Sequence, residues 1–347
     1  MKNELEAFFA RYVRLVKRKA RRRAGRPLTY RARFKFRMGK RLNVDSKSWR
    51  ASIEGRRLKL VADDGTTLIR DADSLVWLAG GFADAASARS FGKRLSRALA
   101  IAAIRRGMGA DIGHDPVSNL QFGEAITAPA AARGINIISS TDGVSVYPDD
   151  GTTLIISSNI NATVSTAPNL LIVEIRRFID RAEQLEGVQL DAVILLNAAL
   201  MSKEPLARLA LTVSAVEMLA KPQKEWTSNQ LQALARFEGI AEKLQGLELV
   251  EIDEIKNAVK NMRHFGANER CRRLIRSLGL DDLLPHWRHL YSLRSQIFHG
   301  VEYPTQGIVG TAAQLSVALA SRIVLASVKQ VLPGADAGIE MIYPIPQ

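Results

Sequence analysis

Two side chains of complementary chemistry lie five residues apart near the end of the chain: Arg294 and His299, within Tyr291-Ser292-Leu293-Arg294-Ser295-Gln296-Ile297-Phe298-His299-Gly300. Leu283, Leu284, Trp287, Leu290, Tyr291, Ile297 and Phe298 recur at three- and four-residue steps, which predicts a helix. Arg294 falls on that apolar stripe, three after Tyr291 and four before Phe298. A guanidinium keeps its proton, so on an inward face it needs an anion or an acidic partner. His299 titrates nearest neutral pH and suits proton transfer. Gly300 commonly stops a helix in a left-handed turn. On an ideal helix the two side chains point about 140° apart. They meet only if the arginine reaches along the axis or the helix ends at His299. In a last turn the macrodipole favours the imidazolium. Ser295, four residues before His299, shares its face, and its hydroxyl could orient the ring.

The phrase Leu-Tyr-Ser-Leu-Arg-Ser-Gln-Ile-Phe-His-Gly resembles the R-x4-6-H signature of HEPN domains, and its wording is nearest to the Apea-like branch. The earlier helix Arg208–Leu219, with Glu217 near its end, is similar to that family's acidic helix. The resemblance covers the C-terminal half well and the N-terminal half in outline. It implies an all-α HEPN-type helical bundle carrying a metal-independent endoribonuclease site. His299 would then be the general acid/base, Arg294 the phosphate clamp, Ser295 and Glu217 supporting residues, and the product a cyclic phosphate. It also implies RNA as substrate, no cofactor, a homodimer through the helical domain, and a role in phage defence or toxin-like RNA cleavage. One Arg and one His are too few for a full acid–base pair, which suits two copies sharing a cleft. Two alternatives stay open: a non-catalytic RNA-binding or interaction module, and a plain Arg294–Glu217 bridge beside a capping histidine. His286 and His289 stand at i, i+3 but lack a third ligand for a metal.

The charge is uneven. Residues 1–60 hold 21 Lys and Arg against 4 Asp and Glu, whereas the other 287 hold 28 against 31. An argument from basicity to nucleic acid therefore applies to the N-terminal segment alone. Cys271 is the single cysteine, which excludes an internal disulfide or a cysteine-rich zinc site. With no apolar run near the ~20 residues of a membrane span and no signal-peptide pattern, a cytoplasmic location is expected.

The elements that must position Arg294 follow from periodicity. Leu5, Phe8, Phe9, Tyr12, Val13 and Val16 predict an amphipathic helix that runs into Lys17, Arg18, Lys19, Arg21, Arg22 and Arg23. This basic segment, residues 1–28, has three readings: phosphate tracking, an anionic membrane surface, or packing on its own protein. Arg31, Arg33, Lys35 and Arg37 then alternate with apolar residues, as in a strand with one wet face. Four like charges there suit either a solvated edge strand or a polyanion. A hairpin is expected over 57–69, turned at Asp63-Asp64-Gly65, then a strand at 75–78 and a helix at 86–106. The heptapeptide Asp-Asp-Gly-Thr-Thr-Leu-Ile occurs at 63–69 and 149–155, and unmatched flanks favour chance recurrence over duplication. Strands at 135–138, 144–147 and 153–160 complete an α+β N-terminal domain, residues 29–166, with a small antiparallel sheet and room for a partner protein. Eight helices fill a helical domain at 168–332. Residues 333–347 read as a loose tail.

Overall fold

The computed structural model describes residues 27–113, 132, 136–139, 142–150, 153–156, 165–220, 227–241, 243, 246, 248–261, 265–298 and 306–345. The basic segment with Lys17, Arg18, Lys19, Arg21, Arg22 and Arg23 lies outside these residues, and so does His299. Among the described residues there are ten strands: β1 Tyr30–Met38, β2 Arg41–Leu42, β3 Ser48–Ile53, β4 Arg56–Ala62, β5 Ser74–Phe82, β6 Ala110–Asp111, β7 Asn136–Ser139, β8 Gly143–Pro148, β9 Thr153–Ile156 and β10 Ser165–Thr166. The helices are α1 Ala85–Arg105, α2 Pro168–Phe178, α3 Gly187–Met201, α4 Pro205–Leu219, α5 Ser228–Ala241, α6 Leu249–Asn261, α7 Ala267–Ser277, α8 Leu284–Phe298, α9 Gln306–Val328 and the short α10 Ile339–Ile342. An antiparallel sheet region thus precedes a helical half.

The main sheet runs β3-β4-β5-β1-β6, with β8 also paired to β1. β1 is therefore an interior strand, bonded to β5 on one side and to β8 and β6 on the other. The edge-strand expectation fails because the later segments at 110–111 and 143–148 return to cover it. Its apolar residues Ala32, Phe34 and Phe36 face the core with Trp77 and Leu60. The expected hairpin at 57–69 is also displaced. β3 and β4 form the hairpin, turned at Glu54-Gly55, where both residues have positive φ (50° and 70°). That is the backbone of a tight two-residue hairpin turn, more often built with Asn or Gly at its first position. At 63–67, Asp64 instead accepts hydrogen bonds from the amides of Thr66 and Thr67 (2.8 and 2.9 Å). The chain then enters a 3-10 turn at Ile69–Asp71 before β5 begins.

Helix α1 starts where Asp84 caps the Ser87 amide at 2.7 Å. Phe91, Leu95, Leu99, Ile101 and Ala102 are buried as the periodicity predicts, but every residue from Ala98 to Ile104 is fully buried. A helix apolar on all sides is covered on all sides. α1 packs on β1 and β8 with one face and on α2 and α3 with another. At Gly92 an added Cβ would collide with the Val144 side chain on β8, so this glycine permits the close helix–sheet approach. The buried residues of both halves form one continuous cluster. Asn197 of α3 ties the halves together, accepting from the Ala110 amide (2.8 Å) and donating to the Ala100 carbonyl (3.2 Å).

The C-terminal residues expected as a loose tail are docked. Buried Arg105 donates to the carbonyls of Ala335 (2.7 Å) and Ala337 (2.9 Å) and bridges Glu174 (2.7 Å). Tyr343 donates to the Ile104 carbonyl at 2.7 Å, and burial pushes its hydroxyl up to about 12. The anchoring groups sit more than two hundred residues upstream, so local pattern does not show them. Among the described residues one helix, α9, is long and apolar enough to cross a membrane, and 61% of that stretch is buried inside the protein. There Ser316 accepts a hydrogen bond from Thr212 of α4 at 2.8 Å.

Candidate functional site

The site around Arg294 is assembled by α4, α7 and α8. Helix α8 begins buried: Leu284, Trp287 and Leu290 are in the core, and Trp287 donates to Asn268 of α7 at 3.2 Å. Its last turn emerges from that core, with Arg294 half-buried and Phe298 45% exposed. Arg294 is therefore less inward than its place on the apolar stripe suggests. Its guanidinium carbon lies 5.8 Å from the Tyr291 ring centre and 5.2 Å from that of Phe298, a range in which ring faces attract cations. Among the described residues its buried Nε has no hydrogen-bond partner and no carboxylate pairs with it.

Glu217, at the end of α4, was one residue the sequence offered as a direct partner for Arg294. It is engaged elsewhere: Tyr291 donates its hydroxyl to Glu217 Oε1 at 2.9 Å. Burial, then this bond and the Glu217 charge, push the Tyr291 hydroxyl up to about 12. Cys271 of α7 is fully buried, and burial followed by the Glu217 charge pushes its thiol up to about 12. The arrangement is a chain of groups, Cys271 and Tyr291 about Glu217 and then Arg294 over the Tyr291 ring. Tyr291 is the member that the sequence pattern counted only as an apolar residue. Its dual character, ring inward and hydroxyl seeking a partner, is the signal that could have marked it. Ser295 is half-buried beside Arg294. On the side facing α9, His289, Leu290, Leu293, Ile308 and Leu315 line a largely apolar groove of about 230 Å³.

The basic ladder of β1 has a different fate from a nucleic-acid face. Arg33 and Lys35 are 3% and 7% exposed and share buried Asp63, which bridges Arg33 and lies 3.0 Å from Lys35. Lys35 also reaches Asp142 at 3.5 Å. Arg31 pairs with Asp149 at 2.6 Å, and Arg37 with Asp111 and, at 3.8 Å, Asp142. Burial holds the Arg33 pKa below its usual value against the pull of Asp63. The chain's own aspartates pair with all four of these cations. Asp63 and Asp149 are the first residues of the repeated heptapeptide. Both copies deliver a carboxylate to β1, although a 3-10 turn follows the first and β9 the second.

No protein-family model, curated protein or solved structure matches this chain.

Proposed function

We propose that this protein is a metal-independent endoribonuclease of the HEPN kind, acting in the cytoplasm as a homodimer in phage defence or toxin-like RNA cleavage. The observation that carries the reading is the state of Arg294. It is a permanent cation 5.8 and 5.2 Å from two aromatic ring centres near the end of α8, with no carboxylate partner among the described residues. The acid that could have neutralised it, Glu217, is occupied by Tyr291. A guanidinium so placed has its fork available for phosphate oxygens.

RNA cleavage without a metal requires the 2′-hydroxyl to lose its proton as it attacks phosphorus, charge relief on the phosphoryl oxygens, and a proton for the leaving 5′-oxygen. Arg294 would supply the charge relief. His299, one residue beyond the described end of α8, would carry the proton transfers, worth roughly 10²–10⁴-fold. Two protomers would furnish two histidines, one as base and one as acid. The second reading, a non-catalytic RNA-binding module, makes the same use of Arg294 without the transfer.

The test is cleavage of labelled RNA by wild type and His299→Ala. The enzyme reading expects cleavage to be lost with RNA binding and the dimer intact. If both proteins leave RNA whole while binding it equally, catalysis is refuted and the binding module stands.

A further inference from the structure

The sheet face that carries the β1 ladder continues onto β3 and β4, where no acid among the described residues pairs with its cations. Cross-strand register sets Arg50 directly opposite Lys59 and Ser52 opposite Arg57. Arg50, Arg57 and Lys59 thus share one face, with directly opposed positions roughly 4.5–5.5 Å apart at Cβ and diagonal ones roughly 7–8 Å. All three are exposed, and none has an ion pair with any described residue. The hairpin's one acid, Glu54, is taken by Arg94. Like charges directly opposed across a ladder are destabilising, and nothing described around them offsets the cost. A groove of about 660 Å³ runs from this hairpin to α2. It is lined by Arg50, Arg57, Lys59 and Arg176 together with Trp49 and Asn169, and by no carboxylate. Arg176 is fixed there by donating its Nε–H to the Ser52 carbonyl at 2.9 Å.

We infer that this hairpin face and its groove bind the sugar–phosphate backbone of single-stranded RNA. Three cations spread over two strands exceed what one phosphate can neutralise, and they match a ligand whose charge repeats along its length. Ser48 and Ser52, on the same face, add hydroxyls that can donate to phosphate oxygens. The choice of RNA among polyanions rests on the nuclease reading. The surface itself rests on charge and register. The hairpin would hold the strand while the α8 site acts on it, so its loss should raise KM and leave kcat unchanged.

The experiment titrates full-length wild type and the Arg50→Gln/Arg57→Gln/Lys59→Gln variant into fluorescein-labelled single-stranded RNA, read by anisotropy from about 50 to about 200 mM salt. All three side chains are exposed, so the variant should fold, as urea melting will verify. Affinity should fall about tenfold or more. The slope of log K against log salt should become shallower by about 2, at roughly 0.7 per phosphate neutralised on a single strand. Equal affinity and slope in the two proteins overturn the inference. So does a wild type that ignores RNA but binds a polyglutamate peptide through these residues, which would mark a protein-docking face. If His299→Ala leaves cleavage unaltered while the triple variant loses RNA, the nuclease reading fails and the hairpin inference stands. If the triple variant cleaves with unchanged KM, the reverse holds.

Discussion

β1 and the β3–β4 hairpin display basic residues on the same face of one sheet, yet the protein treats the two sets oppositely. A single cross-strand row runs Arg50, Lys59, Leu78, Arg33, Ser145 from the outer edge to β8. At its inner end Arg33 is buried against Asp63. At its outer end, about three strand spacings or ~14 Å away, Arg50 and Lys59 are exposed and opposed, with no acid among the described residues paired to either. A charge taken out of water must be paired, so the buried Arg33 and Lys35 are met by Asp63 and Asp142. The outer cations stay hydrated and were under no such demand. Their basic character therefore says more about an external ligand than the ladder of β1 does, although β1 carries the more regular pattern in the sequence.

Two substitutions break or sharpen this contrast, and a third tests the Arg294 site. The largest effect is expected at Asp63. Asp63→Ala removes the carboxylate that buried Arg33 and Lys35 share and should cost about 3–5 kcal/mol, read as a lower urea midpoint at unchanged m-value. A loss below about 1 kcal/mol would mean that water or other acids reach these cations and that the two ends of the row are alike.

Smaller, and partly of opposite sign, is Lys59→Glu. Placing an acid opposite Arg50 should stabilise the fold by roughly 0.2–1 kcal/mol while weakening RNA binding. A destabilised protein would show that Lys59 already has a structural role. A third substitution, Tyr291→Phe, probes the Arg294 site. It keeps the ring beneath Arg294 but removes the hydrogen bond to Glu217, for about 1 kcal/mol of stability. It should lower RNA cleavage by freeing Glu217 to compete for Arg294, and unchanged cleavage would uncouple Tyr291 from the site.

The buried pocket that holds this chain of groups has a pH signature. The Cys271 thiol and the Tyr291 hydroxyl are both raised to about 12 in the fold. Keeping the neutral thiol buried contributes stability that is complete below its unfolded pKa of about 9 and lost as pH climbs toward about 12. For the Tyr291 hydroxyl the window is about 10 to about 12. Cys271 should therefore resist a thiol reagent at about pH 8.5 and react only when urea unfolds the chain. Rapid labelling of the native protein would place the thiol at the surface.

Much of the framework was legible because it is periodic. The three- and four-residue steps mark α1, α3, α4 and α8, and alternation marks β1 and β8. Arg294 stood out by its residue type within an apolar stripe. Less legible was the turn at Glu54-Gly55, since glutamate is an uncommon first residue for that geometry. Missing it hid the pairing of Arg50 with Lys59. Tyr291 was visible as a residue but not as the group that occupies Glu217, because that bond spans 74 positions.

The sequence by itself determined the order of elements, the concentration of basic residues in the first 60 positions and the exposure of one arginine to chemical suspicion. Tertiary structure alone decided which cations are neutralised and which remain available. Alternation reports that a side chain leaves the apolar face. Whether it then meets solvent or an aspartate depends on segments tens to more than a hundred residues away. Coulomb attraction acts across space while periodicity acts along the chain. For that reason the cations of the regular β1 ladder are paired with aspartates, and the less conspicuous hairpin beside it carries charge that no described acid offsets.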